Sequence, residues 1–351
     1  MTSLPDTTSN DPLAAGSARH TARWQLELSQ AVRSSSELLS RLNLSPHDLP
    51  ELLPTADATD FPVLVPVSFL NRMQVGNPCD PLLLQVLPQL SESITIPGFV
   101  ADAVGDLHAR RSPGLLHKYH GRVLLMAAGA CAVHCRYCFR RQYPYSEEPR
   151  RLEDWEPAMA EIESSPEIHE VILSGGDPLV LNDHRLAQLC QRISRIPHIT
   201  RLRIHTRLPI VLPARITTEL CSLLTSLPLQ VLVVVHANHA AEIRNDCLAA
   251  LQQLVRAGLP VLNQAVLLRN INDTADAQEQ LSLSLVNAGV MPYYLHQLDR
   301  VAGTQHFEVP QSVGQQIISA LQARLPGYAV PRYVQEIPGA TGKTPVLHER
   351  T

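Results

Sequence analysis

The segment "RVLLMAAGACAVHCRYCFRR", Arg122–Arg141, decides how the rest of the chain is read. It starts as an apolar run of strand length. It ends in three cysteines at Cx3Cx2C spacing, followed by two arginines. Structural zinc takes four protein ligands, as does an ordinary iron–sulfur cluster, and this segment offers three. Cys131, Cys135 and Cys138 stand too close together to be three independent core residues. His134 lies between two ligand positions, where its side chain is poorly placed to reach the same metal. Of the remaining cysteines, Cys190, Cys221 and Cys247 fall in helix-like stretches without a CxxC partner and read as small buried hydrophobes; the other is Cys79.

Outward from this segment a rhythm appears. Apolar or β-branched runs recur at 122–128, 170–176, 201–206, 229–236, 260–268 and 291–298. Amphipathic stretches lie between them at 183–195, 214–226, 240–257 and 275–288. Repeated βα units predict an α/β fold with a parallel sheet, open or closed into a barrel. A last extended segment, "YAVPRYVQEIPGATGK" (328–343), ends the series. The unusual polar residues cluster at one end of each strand. Cys131 follows the first run, Ser174–Asp177 the second and His205–Arg207 the third. His236, Asn238 and His239 end the fourth, Asn263 and Gln264 lie within the fifth, and Asp299 sits beyond the sixth. Glu336 and Lys343 come in and after the last. The C-terminal strand ends of a βα barrel share one rim, so these segments are expected to converge there. Asn238 and His239 fit helix capping equally well.

The rest of the chain sets limits. Its 351 residues, 45% hydrophobic, suffice for one large core or two modest ones. A net charge of −4 gives no reason to expect nucleic-acid binding. No apolar run is long enough for a membrane span, and the first residues lack the pattern of a secretory signal. Seven cysteines, three of them crowded together, do not form a disulfide framework in a chain this long, so a reducing cytoplasm is expected. Residues 1–20 read as a disordered lead-in. Residues 21–95 read as a small, mostly helical region, with three- and four-residue apolar spacing over "WQLELSQAVRSSSELLSRLNL" (24–44), and 96–351 carry the βα series.

Three cysteines suit a [4Fe–4S] cluster with one open iron. That iron can be chelated by the amino and carboxylate groups of S-adenosylmethionine, whose reductive cleavage yields a 5′-deoxyadenosyl radical. Cx3Cx2C after the first strand of a βα series resembles the radical S-adenosylmethionine superfamily signature, which implies a partial (β/α)6 barrel. "SGGDPL" (174–179) fits the same picture, because glycines at a strand end let backbone approach a ligand closely. The competing reading is a zinc-stabilised binding module without catalysis. Near the end, "IPGATGKTP" (337–345) puts Lys343 in a Gly- and Pro-rich loop. A lysine there is ordinarily a solvated charge, but at the rim it can form a Schiff base with pyridoxal phosphate. The segment does not match the nucleotide-binding GxxxxGK[ST] loop.

Taken together, the cysteines, SGGDPL and PGATGKTP resemble the lysine 2,3-aminomutase family. The resemblance runs from about residue 75 to the end and includes "GNPCDPLLLQVLP", "HKYHGRVLL", "RLPIVLPARIT", "HANHAAEI", "LNQAVLLRNIND" and "PYYLHQLD". It implies an isomerase that uses the cluster, S-adenosylmethionine and pyridoxal phosphate. Cys131, Cys135 and Cys138 would hold the cluster; Ser174, Gly175, Gly176, Asp177, His236 and Gln264 would contact S-adenosylmethionine. Lys343 would carry the pyridoxal phosphate, with Lys118, Tyr119 and Arg122 beside it. Arg140 would grip the substrate carboxylate, and Asp299 and Glu336 the ε-ammonium of L-lysine. Glu336 stands where clostridial-type members have aspartate. The chain also stops soon after Lys343, without the cysteine-bearing extension of catabolic members. It therefore resembles the short branch that makes (R)-β-lysine for modification of elongation factor P. Implied partners are an electron donor such as flavodoxin or ferredoxin and the elongation factor P lysyl ligase. A mutase for another amino acid is the nearest alternative.

Overall fold

In a computed structural model, residues 22–49, 51–52 and 61–347 are described; the expected lead-in at 1–20 lies outside them. Ten strands form one sheet in sequence order. They are β1 (Arg110–Ser112), β2 (Leu115–Tyr119), β3 (Arg122–Ala128), β4 (Glu170–Gly175), β5 (Arg201–Thr206), β6 (Gln230–His236), β7 (Val261–Val266), β8 (Met291–His296), β9 (Arg332–Gln335) and β10 (Thr344–Pro345). From β3 to β9 every neighbouring pair is parallel. Antiparallel hairpins extend both ends, β1–β2–β3 on one side and β9–β10 on the other. The expected six-strand core is thus present as β3–β8, and β9 continues it in parallel.

The connecting helices are α4 (Glu156–Glu163), α5 (Asp183–Ser194), α6 (Leu208–Val211), α7 (Thr218–Thr225), α8 (Asn245–Arg256), α9 (Ala275–Asn287) and α10 (Gln311–Arg324). Three shorter ones precede the sheet: α1 (Arg23–Ser29), α2 (Ser35–Arg41) and α3 (Val67–Leu70). Caps explain several starts. The side chains of Asn182, Thr217 and Thr274 accept the Arg185, Leu220 and Ala277 N–H groups at the heads of α5, α7 and α9. Gly258 and Gly289, both at positive φ, follow the ends of α8 and α9.

Strand periodicity sorts the side chains. In β5, Leu202, Ile204 and Thr206 are buried, while Arg203 and His205 line a cavity on the opposite face. β4 is buried along its whole length, as a central parallel strand should be. Crossovers that always advance to the next strand keep the helices on one face and curl the sheet. The curl is completed by side chains. Tyr119 of β2 and Glu336, just after β9, meet through a 2.7 Å hydrogen bond, so the sheet's two flanks approach without a shared ladder.

The N-terminal segment is less helical than its apolar spacing predicts. α1 and α2 have seven residues each, and between them Val32 pairs with Val65 in an isolated antiparallel bridge. Tertiary pairing has overridden a continuous helix there. Trp24, Leu38 and Phe69 of this segment belong to the same hydrophobic cluster as Val171, Leu202 and Val233 of the sheet.

Candidate active site

A cavity of about 450 Å³ opens at the C-terminal strand ends. Its wall includes the three cysteines, Ser174–Asp177, His236, Gln264, Lys118, Tyr119, Arg122, Arg140, Asp299, Glu336 and Lys343. Residues separated by more than 200 positions are thus brought to one space.

At one end the cysteine loop follows β3 and is braced by β4. Gly175 has φ +114°, and a Cβ on it would lie 2.5 Å from the Ala128 carbonyl oxygen. A Cβ on Gly176 would lie 2.2 Å from the Ala130 oxygen. These glycines therefore serve a backbone-to-backbone contact with the residues leading into Cys131, which the Gly176 and Asp177 N–H groups cement by donating to Ala128 O and Ala130 O at 2.7 and 2.8 Å. The Asp177 carboxylate is occupied by protein: it accepts from Leu179 N at 3.0 Å, Thr206 Oγ1 at 2.8 Å and Arg207 N at 2.6 Å. Burial pushes its pKa up to about 6 in spite of those bonds.

The thiols themselves suit a cluster better than zinc. His134, the nearest candidate for a fourth zinc ligand, has its Nδ1 2.8 Å from Pro62 O and its ring stacked on Phe61. Among the described residues no three His, Cys, Asp or Glu side chains are gathered to hold a single ion. A cluster asks for something else, one thiolate at each of three separate irons. Burial, and then the proximity of the other thiols, raises the pKa of Cys131 well above the ordinary range and that of Cys138 to about 11. Such a set favours ionisation only when a strongly positive centre takes the place of the protons.

The other end is built of ions. Glu336 accepts hydrogen bonds from Tyr119 OH and, at 3.3 Å, from Lys118 Nζ, and it pairs with the Lys343 ammonium. The β9–β10 hairpin explains this pairing: Gln335 opposes Thr344, so Glu336 and Lys343 are the next residues across the turn. Asp299, beyond β8, has its pKa raised to about 6 by burial, with Lys343 and Lys118 pulling it back. Lys343 is depressed to about 8, again by burial, with Asp299 opposing the shift. The Arg122 guanidinium lies 4.7 Å from the Tyr119 ring centre.

Between the two ends sits Arg140, buried, donating Nε to Asp106 Oδ2 at 2.6 Å and Nη1 to Ser174 Oγ at 3.2 Å. Asp106 also faces Lys118 Nζ at 2.6 Å. Reading the sequence missed Asp106, which lies in an irregular stretch with no local motif. It also passed over Gln85 and Glu242, although both fall inside quoted motifs, "GNPCDPLLLQVLP" and "HANHAAEI". His239 caps a 3-10 turn, its Nδ1 accepting from Ala241 N. Asn238 is fully buried and ties Val266 N to Gln85. Asn263 turns away from the cavity to bond both the N–H and the C=O of Ala237. Burial drops His236 to about 3, so its ring is neutral, and its Nε2 lies 3.2 Å from Tyr137 OH.

Comparison with known proteins completes the picture. Residues 127–277 match the radical SAM superfamily. The chain is 46% identical to an L-lysine 2,3-aminomutase of Escherichia coli (strain K12), over 92% of this chain and 94% of that protein. The chain belongs to the lysine 2,3-aminomutase family. A second L-lysine 2,3-aminomutase, from Haemophilus influenzae, is 43% identical over 93% of this chain and 96% of its own length. One from Clostridium subterminale is 37% identical over 80% of this chain and 67% of its own. As a member of this family the protein is a radical S-adenosylmethionine isomerase, and its cofactors are a [4Fe–4S] cluster, S-adenosylmethionine and pyridoxal phosphate. No helix among the described residues is long and apolar enough to cross a membrane.

Proposed function

We propose that the protein converts (S)-α-lysine to (R)-β-lysine, and that the product is destined for attachment to elongation factor P. The observation that carries the substrate is the pair of acids, Asp299 and Glu336, on the wall of a cavity that also holds Arg140 and Lys343. A guanidinium suits the carboxylate of any amino acid, whereas two partly buried acids select a side chain that ends in a cation. Cys131, Cys135 and Cys138 hold the cluster. Ser174, Gly175, Gly176, His236 and Gln264 border the S-adenosylmethionine space, and Asp177 keeps that loop in place. Lys343 is the attachment point for pyridoxal phosphate, with Lys118, Tyr119 and Arg122 around it.

When bound, the cluster and S-adenosylmethionine supply a carbon radical able to remove hydrogen, and pyridoxal phosphate supplies the carbonyl that carries the migrating nitrogen. The chain's own residues orient the substrate. Asp106 and Ser174 fix the plane of Arg140 before the carboxylate arrives. The acids hold the far ammonium and so determine which carbon faces the radical source. An ångström of misplacement costs about a hundredfold in rate. In the free protein Lys343 itself occupies Glu336.

The reading is tested by incubating reconstituted, reduced protein with L-lysine, both cofactors and reductant, followed by chiral analysis. β-Lysine of R configuration is expected. Iron-loaded, reducible protein that makes none, or that prefers an amino acid without a side-chain cation, would refute it. The role in elongation factor P modification rests on resemblance to the short branch of the family. It predicts that elongation factor P loses a β-lysyl mass increment in cells lacking this protein and regains it when β-lysine is supplied.

A further inference from the structure

Cys135 differs from the other two cysteines. Its Sγ lies 2.6 Å from Nη1 of Arg207, the residue that follows β5. Arg207 is buried, with its guanidinium carbon 5.4 Å from the Phe69 ring centre and 5.5 Å from that of Tyr137. The other end of its fork donates Nη2 to Gln85 Oε1 at 2.7 Å and to Glu242 Oε2 at 3.1 Å. Glu242 is fully buried and is itself fixed by the Asn238 and His239 N–H groups and by Gln85 Nε2. The backbone N–H of Arg207 donates to Asp177, in the loop that braces the cysteine segment. A buried guanidinium whose Nη2 is anchored by Gln85 and Glu242, and whose Nε has no partner, therefore aims its Nη1 at one of the three sulfurs.

We propose that Arg207 tunes the iron–sulfur cluster, donating a charged hydrogen bond to the Cys135 thiolate and so raising the cluster's reduction potential. The inference rests on the reading that Cys131, Cys135 and Cys138 hold a cluster. Hydrogen bonds to cluster sulfurs and nearby net charge are established determinants of potential. An N–H donor withdraws electron density from the sulfur, and the positive charge offsets the electron that arrives. Burial strengthens both effects, because the site's effective dielectric is low. Glu242 works in the opposite direction by neutralising part of the guanidinium charge. Arg207 is thus a positioning residue acting through Cys135, with no contact to substrate required.

The test uses full-length protein reconstituted with iron and sulfide, titrated potentiometrically and followed by the electron paramagnetic resonance signal of the reduced cluster. Substrate and S-adenosylmethionine are left out. Arg207→Met is expected to load the same iron and sulfide but to show, at a fixed solution potential, a reduced-to-oxidised ratio about tenfold lower, equivalent to about 59 mV for one electron. Arg207→Lys, which keeps a charged donor, should recover part of the loss. Glu242→Gln keeps one of the two accepting oxygens, removes the negative charge beside Arg207 and should move the ratio the other way. A purely structural role would alter iron content or thermal stability and leave the midpoint where it is. If Arg207→Met does not load, Glu242→Gln decides: an unchanged or lowered midpoint there overturns the proposal, as does an unchanged midpoint in a fully loaded Arg207→Met. Wild-type protein that loads no reducible cluster would instead sink the cluster reading on which this one stands.

Discussion

At the β3–β5 end of the cavity, position is enforced by backbone against backbone: Gly175 and Gly176 lie against residues 128–130, and Asp177 has its carboxylate fully engaged by protein. At the β8–β10 end, position is set by exchangeable charges, with Lys343, Lys118 and Tyr119 sharing Glu336, and Asp299 beside them. The two constructions suit different tasks. A cluster must be held at one geometry through every turnover, and close-packed backbone has little freedom to yield. A substrate subsite must surrender its resident cation to an incoming one. Ion pairs can trade partners at small net cost, since breaking one and forming another nearly balance.

The contrast breaks most visibly at the glycines. Gly176→Ala places a methyl group 2.2 Å from Ala130 O and 2.6 Å from its carbonyl carbon, neither of which can move without moving Cys131. Overpacking of this kind costs about 1–3 kcal/mol. Iron incorporation should fall most of the way to zero, as read by metal analysis after reconstitution. The same change at Gly342, beside Lys343, meets nothing within 4 Å and should leave the iron content unchanged. Equal losses at both glycines would erase the distinction between the two ends.

A smaller and more selective effect is expected from Asp299→Ala. The cluster should assemble with full iron, while kcat/KM for lysine falls about a hundredfold, the equivalent of one charged hydrogen bond of about 3 kcal/mol. Unchanged turnover would remove Asp299 from the lysine subsite. A parallel loss of iron would mean that the two ends are mechanically coupled after all.

Much of this arrangement is legible in the sequence, and the rest is hidden for definable reasons. β3 and β5 match the predicted runs residue for residue, because β-branched and apolar residues alternate or cluster over strand length. The short strands β1 and β10 carry no such pattern and exist only as hairpin partners. α10 lies outside the amphipathic stretches that the apolar spacing predicts. Its first turn holds Gly314, which reads as a weak point in a helix, yet a Cβ there would lie 2.3 Å from the Tyr333 ring. The glycine is a packing requirement. In the site, the cysteine triad and SGGD carry their chemistry in local spacing and are visible at once. Asp106, Gln85 and Glu242 acquire meaning only from what folds against them. Gln85 lies 122 positions from the arginine it holds.

The finest probe of the charged end is pH. As the proposed attachment point for pyridoxal phosphate, Lys343 would have to be neutral to bond it, and burial lowers its pKa from the ordinary 10.5 to about 8. Uptake of pyridoxal phosphate by the free protein, followed by its absorbance, should therefore accelerate through about pH 8 and level off above it, well short of the ordinary lysine range. The neighbours set the direction of each variant. Asp299 favours the charged amine, so Asp299→Asn should move the midpoint to lower pH, whereas Lys118 and Arg140 disfavour it. Lys118→Met should consequently move the midpoint up. The acids thus hold Lys343 back as an ammonium, while burial and the two cations release it as an amine near neutral pH. A midpoint close to 10.5 in the native protein would show that Lys343 is solvated and does not sit on the cavity wall beside Glu336.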